Sequence, residues 1–263
     1  MASSDRALAL DVVTSVGVAA AACALAAEPR VMLGVVLCAF VARTLAWRAV
    51  VPEARAPGAL GRELAFLALS TLLGAANDWN TVDRHGVYGY GVPTDLPGLS
   101  TIPAWMLLYW GLILRSVATL ASWRGLGEPT ARDEVHLPGL VLHGARWRVA
   151  VELALVLATR QAIYRLWDHP LLSWLPFAAA LALYALLLRP GRRERALALT
   201  FAIVGPVAEA LLIGVGGLHH YALGWLFGVP LWIALWWVLA VLIWADLAPR
   251  LRSLLPGART APA

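Results

Sequence analysis

The sequence predicts an all-α fold, a polytopic membrane bundle of about eight transmembrane helices arranged as two parallel four-helix repeats. Three observations carry this expectation. First, 60% of the 263 residues are hydrophobic and 14% charged, with a mean hydropathy of +0.72, against roughly 45–50% and about 25% in a soluble domain. Second, apolar runs of about 20 residues, the length that crosses a bilayer, recur along the chain. Third, a stretch near residue 103 is echoed near residue 230. A water-soluble enzyme, a disordered chain and a disulfide-stapled module are excluded on composition.

The runs fall at 7–27, 31–51, 63–80 and 101–123, then at 148–166, 171–188, 195–216 and 226–247. Breakers separate them: Glu28-Pro29-Arg30, Pro52 to Pro57, Pro93 to Pro97, Gly125 to Pro138, Asp168-His169-Pro170 and Pro190-Gly191. The expected division is a first half at 1–123, a cytoplasmic linker at 124–147, a second half at 148–250 and a flexible cytoplasmic tail at 251–263. Ala24-Leu25-Ala26 resembles a signal-peptide cleavage site, but Asp11 interrupts the preceding run and Arg6 alone supplies positive charge, so the first run is kept as a span.

The chain contains no lysine, so its formal positive charge at pH 7 is carried by arginine. Without lysine there is no amine for a retinal Schiff base, which removes rhodopsin-type photoreceptors. Arginines such as Arg48, Arg62, Arg124, Arg189 and Arg250 gather on one side, while Arg30, Arg84 and Arg165 fall in the opposite loops. The positive-inside rule then puts both termini in the cytoplasm, with a bacterial inner membrane as the expected location. These arginines read as topology signals, so no nucleic-acid partner is expected. Cys23 and Cys38 lack metal or disulfide spacing.

Ile102-Pro103-Ala104-Trp105 through Tyr109-Trp110 matches Val229-Pro230-Leu231-Trp232 through Trp236-Trp237, 127 residues on. A glycine- and tyrosine-containing loop precedes each copy, and an embedded acid or amide comes earlier still: Asn77 or Asp78, then Glu209. Four crossings separate the copies, so the halves should be parallel, with both polar loops on the non-cytoplasmic side.

Ionisable groups inside a bilayer cost at least about 2.5–3.5 kcal/mol at mid-helix. Asp11, Arg43, Arg115, Glu152 and Asp246 lie toward cytoplasmic ends, where they can snorkel or pair, and Arg148 and Glu152 have ion-pair spacing. Glu209 lies deeper, three residues after the helix-bending Pro206, and suits proton donation or an ion pair with Arg160. Asn77 and Asp78 end an apolar run and are expected to face the bundle interior, whereas Asp83, Arg84 and Asp95 read as solvated loop. His85, His219 and His220 are candidate bases, but no HxxxH or HxH spacing supports a metal site, and no cofactor is expected. Trp105 and Trp232 are expected to line a pocket, with helix packing the expected role of Trp110, Trp236 and Trp237.

Glu209, the following loop and Gly228-Val229-Pro230-Leu231-Trp232 together resemble membrane enzymes of carotenoid biosynthesis, in particular the carotenoid hydratase group. The likeness covers about 30 residues and departs from the family where His219-His220-Tyr221 stands in place of a Gly/Phe/Tyr loop. What it implies is an enzyme acting on a long isoprenoid. The expected chemistry is protonation of a carbon–carbon double bond by Glu209 or Asp78, with aromatic faces steadying the carbocation. His85, His219 or His220 would act as base, as in a hydratase (a lyase) or a cyclase. Asn77, Tyr88, Tyr90, Trp105, Arg160, Tyr221 and Trp232 would bind a lipophilic substrate in one cavity fed by both halves. The rival expectations are a small-solute or proton transporter and a non-catalytic membrane scaffold.

Overall fold

The computed structural model describes residues 3–127 and 133–255. Eight α-helices dominate them: α1 (Ser3–Leu25), α2 (Pro29–Val50), α3 (Ala59–Trp79), α4 (Ala104–Ser122), α5 (Ala145–Leu166), α6 (Leu175–Leu188), α7 (Arg192–Gly214) and α8 (Leu231–Leu254). Four short strands accompany them: β1 (Tyr88–Tyr90), β2 (Glu134–Leu137), β3 (Leu140–His143) and β4 (His219–Tyr221). Six of the helices, all but α5 and α6, are long and apolar enough to cross a membrane, where the sequence suggested eight spans. With 14 residues, α6 is about 21 Å long against an apolar layer of about 30 Å. Five charged residues, Arg146, Arg148, Glu152, Arg160 and Arg165, lower the hydropathy of α5.

The chain divides into two compact units, residues 1–123, 215–220 and 248–263, and residues 124–214 and 221–247. In the first, Val18, Met32, Val36, Phe66 and Ile102 are buried. The closest approach is between α3 and α4, where small residues replace side-chain thickness. A Cβ on Gly74 would overlap the Cβ and Cγ of Trp110, and one on Gly111 would overlap Thr71 Oγ1. Helix propensity favours alanine over glycine by about 1 kcal/mol, whereas overpacking costs about 1–3 kcal/mol. Gly74→Ala should therefore lower the thermal midpoint, while Gly61→Ala, with no atom within 4 Å of its new Cβ, should raise it slightly.

An ionic cluster lies inside this unit, built by α1, α2, α3, α4 and the end of α8. Arg43 donates through Nε to Asp11 Oδ1 at 2.7 Å and through Nη1 to Glu63 Oε1. Arg115 Nε reaches Glu63 Oε1 at 2.6 Å, and Arg252 Nη2 reaches Glu63 Oε2 at 3.3 Å. Thr119 completes the cluster, donating to Asp11 Oδ2 and accepting from Arg115 Nη1. Asp11, Arg43 and Arg115 thus pair with one another rather than snorkel. Glu63, which the sequence left at the edge of a predicted span, is their shared acceptor.

The loop between α3 and α4 is fastened, not merely solvated. A π-helical turn at Asn80–Arg84 extends α3. Asp83 accepts from Ser100 Oγ at 2.5 Å and from the Thr101 amide at 2.9 Å. Asp95 accepts from the Ala104 amide at 2.9 Å, satisfying a free N–H of the first turn of α4.

In the second unit, Phe177, Tyr184, Leu197 and Phe201 are buried. Arg148 Nε pairs with Glu152 Oε1 at 3.3 Å, as the spacing predicts, and lies 3.4 Å from Asp246 Oδ1. The Arg148 guanidinium also donates to the Tyr184 hydroxyl at 3.2 Å. The expected linker carries an antiparallel hairpin in which Glu134 faces His143 and Leu137 faces Leu140. Its turn is Pro138-Gly139, where Gly139 has φ 74°, the left-handed value that glycine adopts freely. Helix α8 begins later than expected because Leu226 bridges Val229 in a tight turn, and Pro230 then precedes the first helical residue.

Candidate functional site

Asp78 lies on the last turn of α3 and is 0% exposed. Its Oδ1 accepts from the Tyr88 hydroxyl. Its Oδ2 accepts from the Tyr90 hydroxyl at 2.8 Å and from Trp110 Nε1 at 2.9 Å. Alternation along β1 explains the two tyrosines, since residues two apart in a strand share a face. Gly89 between them faces the other way, and a Cβ there would come within 3.1 Å of the His220 ring. Gly74 explains the indole: one turn before Asp78, it lets Trp110 lie on the helix backbone.

Strand β4 pairs with β1, and the Gly91 amide donates to the Leu218 carbonyl at 2.9 Å. This brings His219, itself buried, against both tyrosines, with ring centroids 5.8 Å from Tyr88 and 6.1 Å from Tyr90. The result is a carboxyl with three neutral donors and an imidazole one ring away. Hydroxyls both give and take hydrogen bonds, so the assembly can hold and move a proton without bulk water.

Of the other candidates in the first unit, Asn77 is half-buried on a neighbouring face of α3, and His85 is half-buried at the end of the π-helical turn. His220 is exposed, on the opposite face of β4 from His219. Trp105 is fully buried in the first turn of α4, with no hydrogen-bond partner for its indole N–H.

Glu209 has a looser version of the same surroundings in the second unit. It is half-buried, accepting from the Tyr221 hydroxyl at 3.4 Å and from Trp237 Nε1 at 3.3 Å. Gly205, four residues earlier, abuts Trp237 as Gly74 abuts Trp110. Trp232 stacks on Phe177 at 5.7 Å and meets the edge of Tyr221 at 5.7 Å. Arg160 lies 5.2 Å over the ring of Trp236. The sequence offers Glu209 or Asp78 as the acid, and Asp78 is the more enclosed of the two. Trp110 and Trp237, read as packing residues, donate to the two acids. Among the described residues no group of three or more His, Cys, Asp or Glu is placed to hold a metal.

No protein-family model matches the chain, and no curated protein matches it. It is similar to the crystal structure of a cross-linked trimer of MvINS, with 22% identity and a TM-score of 0.53 over 72% of this chain and 94% of that one. This is a likeness of fold.

Proposed function

We propose that the protein is an integral membrane enzyme that protonates a double bond of a lipophilic, isoprenoid-type substrate, with Asp78 at the centre of the proton transfer. The observation that carries this reading is the enclosed carboxyl ringed by Tyr88, Tyr90 and Trp110, with His219 against both phenols. The two hydroxyls add a path along which a proton travels.

With Asp78 protonated, its bond to Tyr88 reverses: Oδ1 donates to the Tyr88 hydroxyl, whose own proton passes to an alkene carbon, and the carbocation forms beside aromatic faces that favour positive charge. In a hydratase, water adds to the cation and gives its second proton to His219. In a cyclase, an internal double bond captures the cation and His219 takes a proton from carbon. In both, the proton on His219 returns to Asp78 through the phenols, so the enzyme ends as it began.

The proposed architecture is eight spans in two parallel, duplicated halves, with both termini cytoplasmic in a bacterial inner membrane. Three pairs lie 131 residues apart and do the same work: Gly74 and Gly205, Asp78 and Glu209, Tyr90 and Tyr221. Trp110 and Trp237, which donate to the two acids, lie 127 apart, so the intervening loops differ by four residues. Helix α5 fits a span because Arg148, Glu152 and Arg160 are buried, while Leu153 and Leu157 are exposed.

The test is mass spectrometry of lipids from cells with and without the gene. A new or depleted isoprenoid is expected, with product falling at least about 100-fold in His219→Ala and persisting in His220→Ala. An unchanged profile, or equal effects of the two histidines, would overturn the reading.

A further inference from the structure

We propose that the ionic cluster of the first unit is an anion-binding site for a phosphate or carboxylate group, with Arg252 as its outward-facing ligand. The charges themselves motivate it. Three guanidinium groups, Arg43, Arg115 and Arg252, share two carboxylates, Asp11 and Glu63. Arginine does not shed its proton in proteins, so the cluster carries one positive charge in excess. Arg43 and Arg115 are buried against the two carboxylates, so the excess falls on Arg252, whose side chain is open to an anion from outside.

A second observation points the same way. Arg43 is sealed from solvent, yet its Nη2 has no hydrogen-bond partner. Arg43 and Arg252 meet on Glu63, one at each oxygen. Arg252 is the only guanidinium of the three that opens outward, with its side chain 40% exposed against 0% for Arg43 and 4% for Arg115. It is held 5.2 Å over the ring of Phe66, which presents its planar fork in a fixed direction. That fork matches phosphate or carboxylate oxygens two at a time.

The site is independent of the Asp78 chemistry. Glu63 and Asp78 lie 15 residues apart on α3, about 22 Å along the axis. The cluster sits at the end where Arg55 and Arg62 lie, the end to which an anionic lipid headgroup would be drawn.

The experiment uses the full chain in neutral detergent, measuring its thermal midpoint and, by native mass spectrometry, bound lipid. Phosphatidylglycerol, phosphatidylcholine and inorganic phosphate are added separately. Stabilisation by phosphatidylglycerol alone assigns the site to a lipid headgroup; stabilisation by inorganic phosphate as well assigns it to a free anion. In either case Arg252→Gln should weaken binding at least about tenfold, while Arg48→Gln, which removes an exposed charge outside the cluster, leaves it unchanged. Arg252→Lys, which keeps the charge and loses the fork, should weaken binding by an intermediate factor and serves if the glutamine variant does not fold. No response to either anion, or a response that survives both substitutions at Arg252, would overturn the proposal.

Discussion

Glu63→Ala is expected to destabilise the protein by about 3–5 kcal/mol, the usual cost of removing one partner from a buried ionic group. Glu63 is fully buried and accepts from Arg43, Arg115 and Arg252. Without it, three guanidinium groups would face Asp11 alone, and two of them cannot reach water. Glu63→Gln keeps the shape and some of the hydrogen bonds, so its cost should be smaller. Glu53 is the control: it is exposed and accepts from Ser3 Oγ at 2.6 Å, and exposed polar contacts contribute only about 0–1 kcal/mol. Unfolding in mixed detergent should separate the two clearly. Equal midpoints for Glu63→Ala and Glu53→Ala would mean that the cluster contributes nothing to stability.

Asp78→Asn is expected to lower turnover by about 100- to 10,000-fold, the range for loss of a general acid. The amide preserves shape but not proton transfer. With its Nδ2 toward the Tyr88 hydroxyl, which can accept, and its oxygen toward Tyr90 and Trp110, the amide keeps all three hydrogen bonds, so little stability should be lost. Trp110→Phe does the opposite: it removes a donor while leaving the carboxyl and both phenols, so it should cost about 1–3 kcal/mol of stability and little turnover. If both variants lost turnover equally, Asp78 would be a packing element and not the proton donor.

Much of the fold was legible because apolar length and breaker residues act locally. The runs at 7–27 and 31–51 lie within four residues of the ends of α1 and within two of those of α2, since Pro29 both closes the connection after one helix and begins the next. What escaped depended on contacts between distant residues. Glu63 stood at the start of a predicted span, and nothing nearby in sequence shows that Arg43, Arg115 and Arg252 converge on it. Position along a helix gives depth but not facing, so the greater depth of Glu209 does not make it the more enclosed acid. Helix α7 exposes Leu199, Ile203, Val207 and Leu211 at four-residue spacing, and Glu209 lies between that stripe and the interior.

For the site, Asp78, Tyr88, Tyr90 and His219 were legible as residue types in suggestive order, and the structure brings these four together. Trp110 was not, because an indole in an apolar helix has packing as its ordinary role. The available signal was glycine: Gly74 and Gly205 each precede an acid by four residues, and each admits an indole. The segment Gly125 to Pro138 reads as a breaker, yet its end joins Leu140–His143 in a hairpin because Gly139 supplies the left-handed turn residue.

Proton delivery from Asp78 to carbon, as proposed, is read out by heavy water. Membranes containing the protein, incubated in deuterium oxide with an isoprenoid extract, should yield a product carrying one non-exchangeable deuterium on carbon, and membranes with Asp78→Asn should not. Product lacking carbon-bound deuterium, or equal labelling in the variant, would contradict the account.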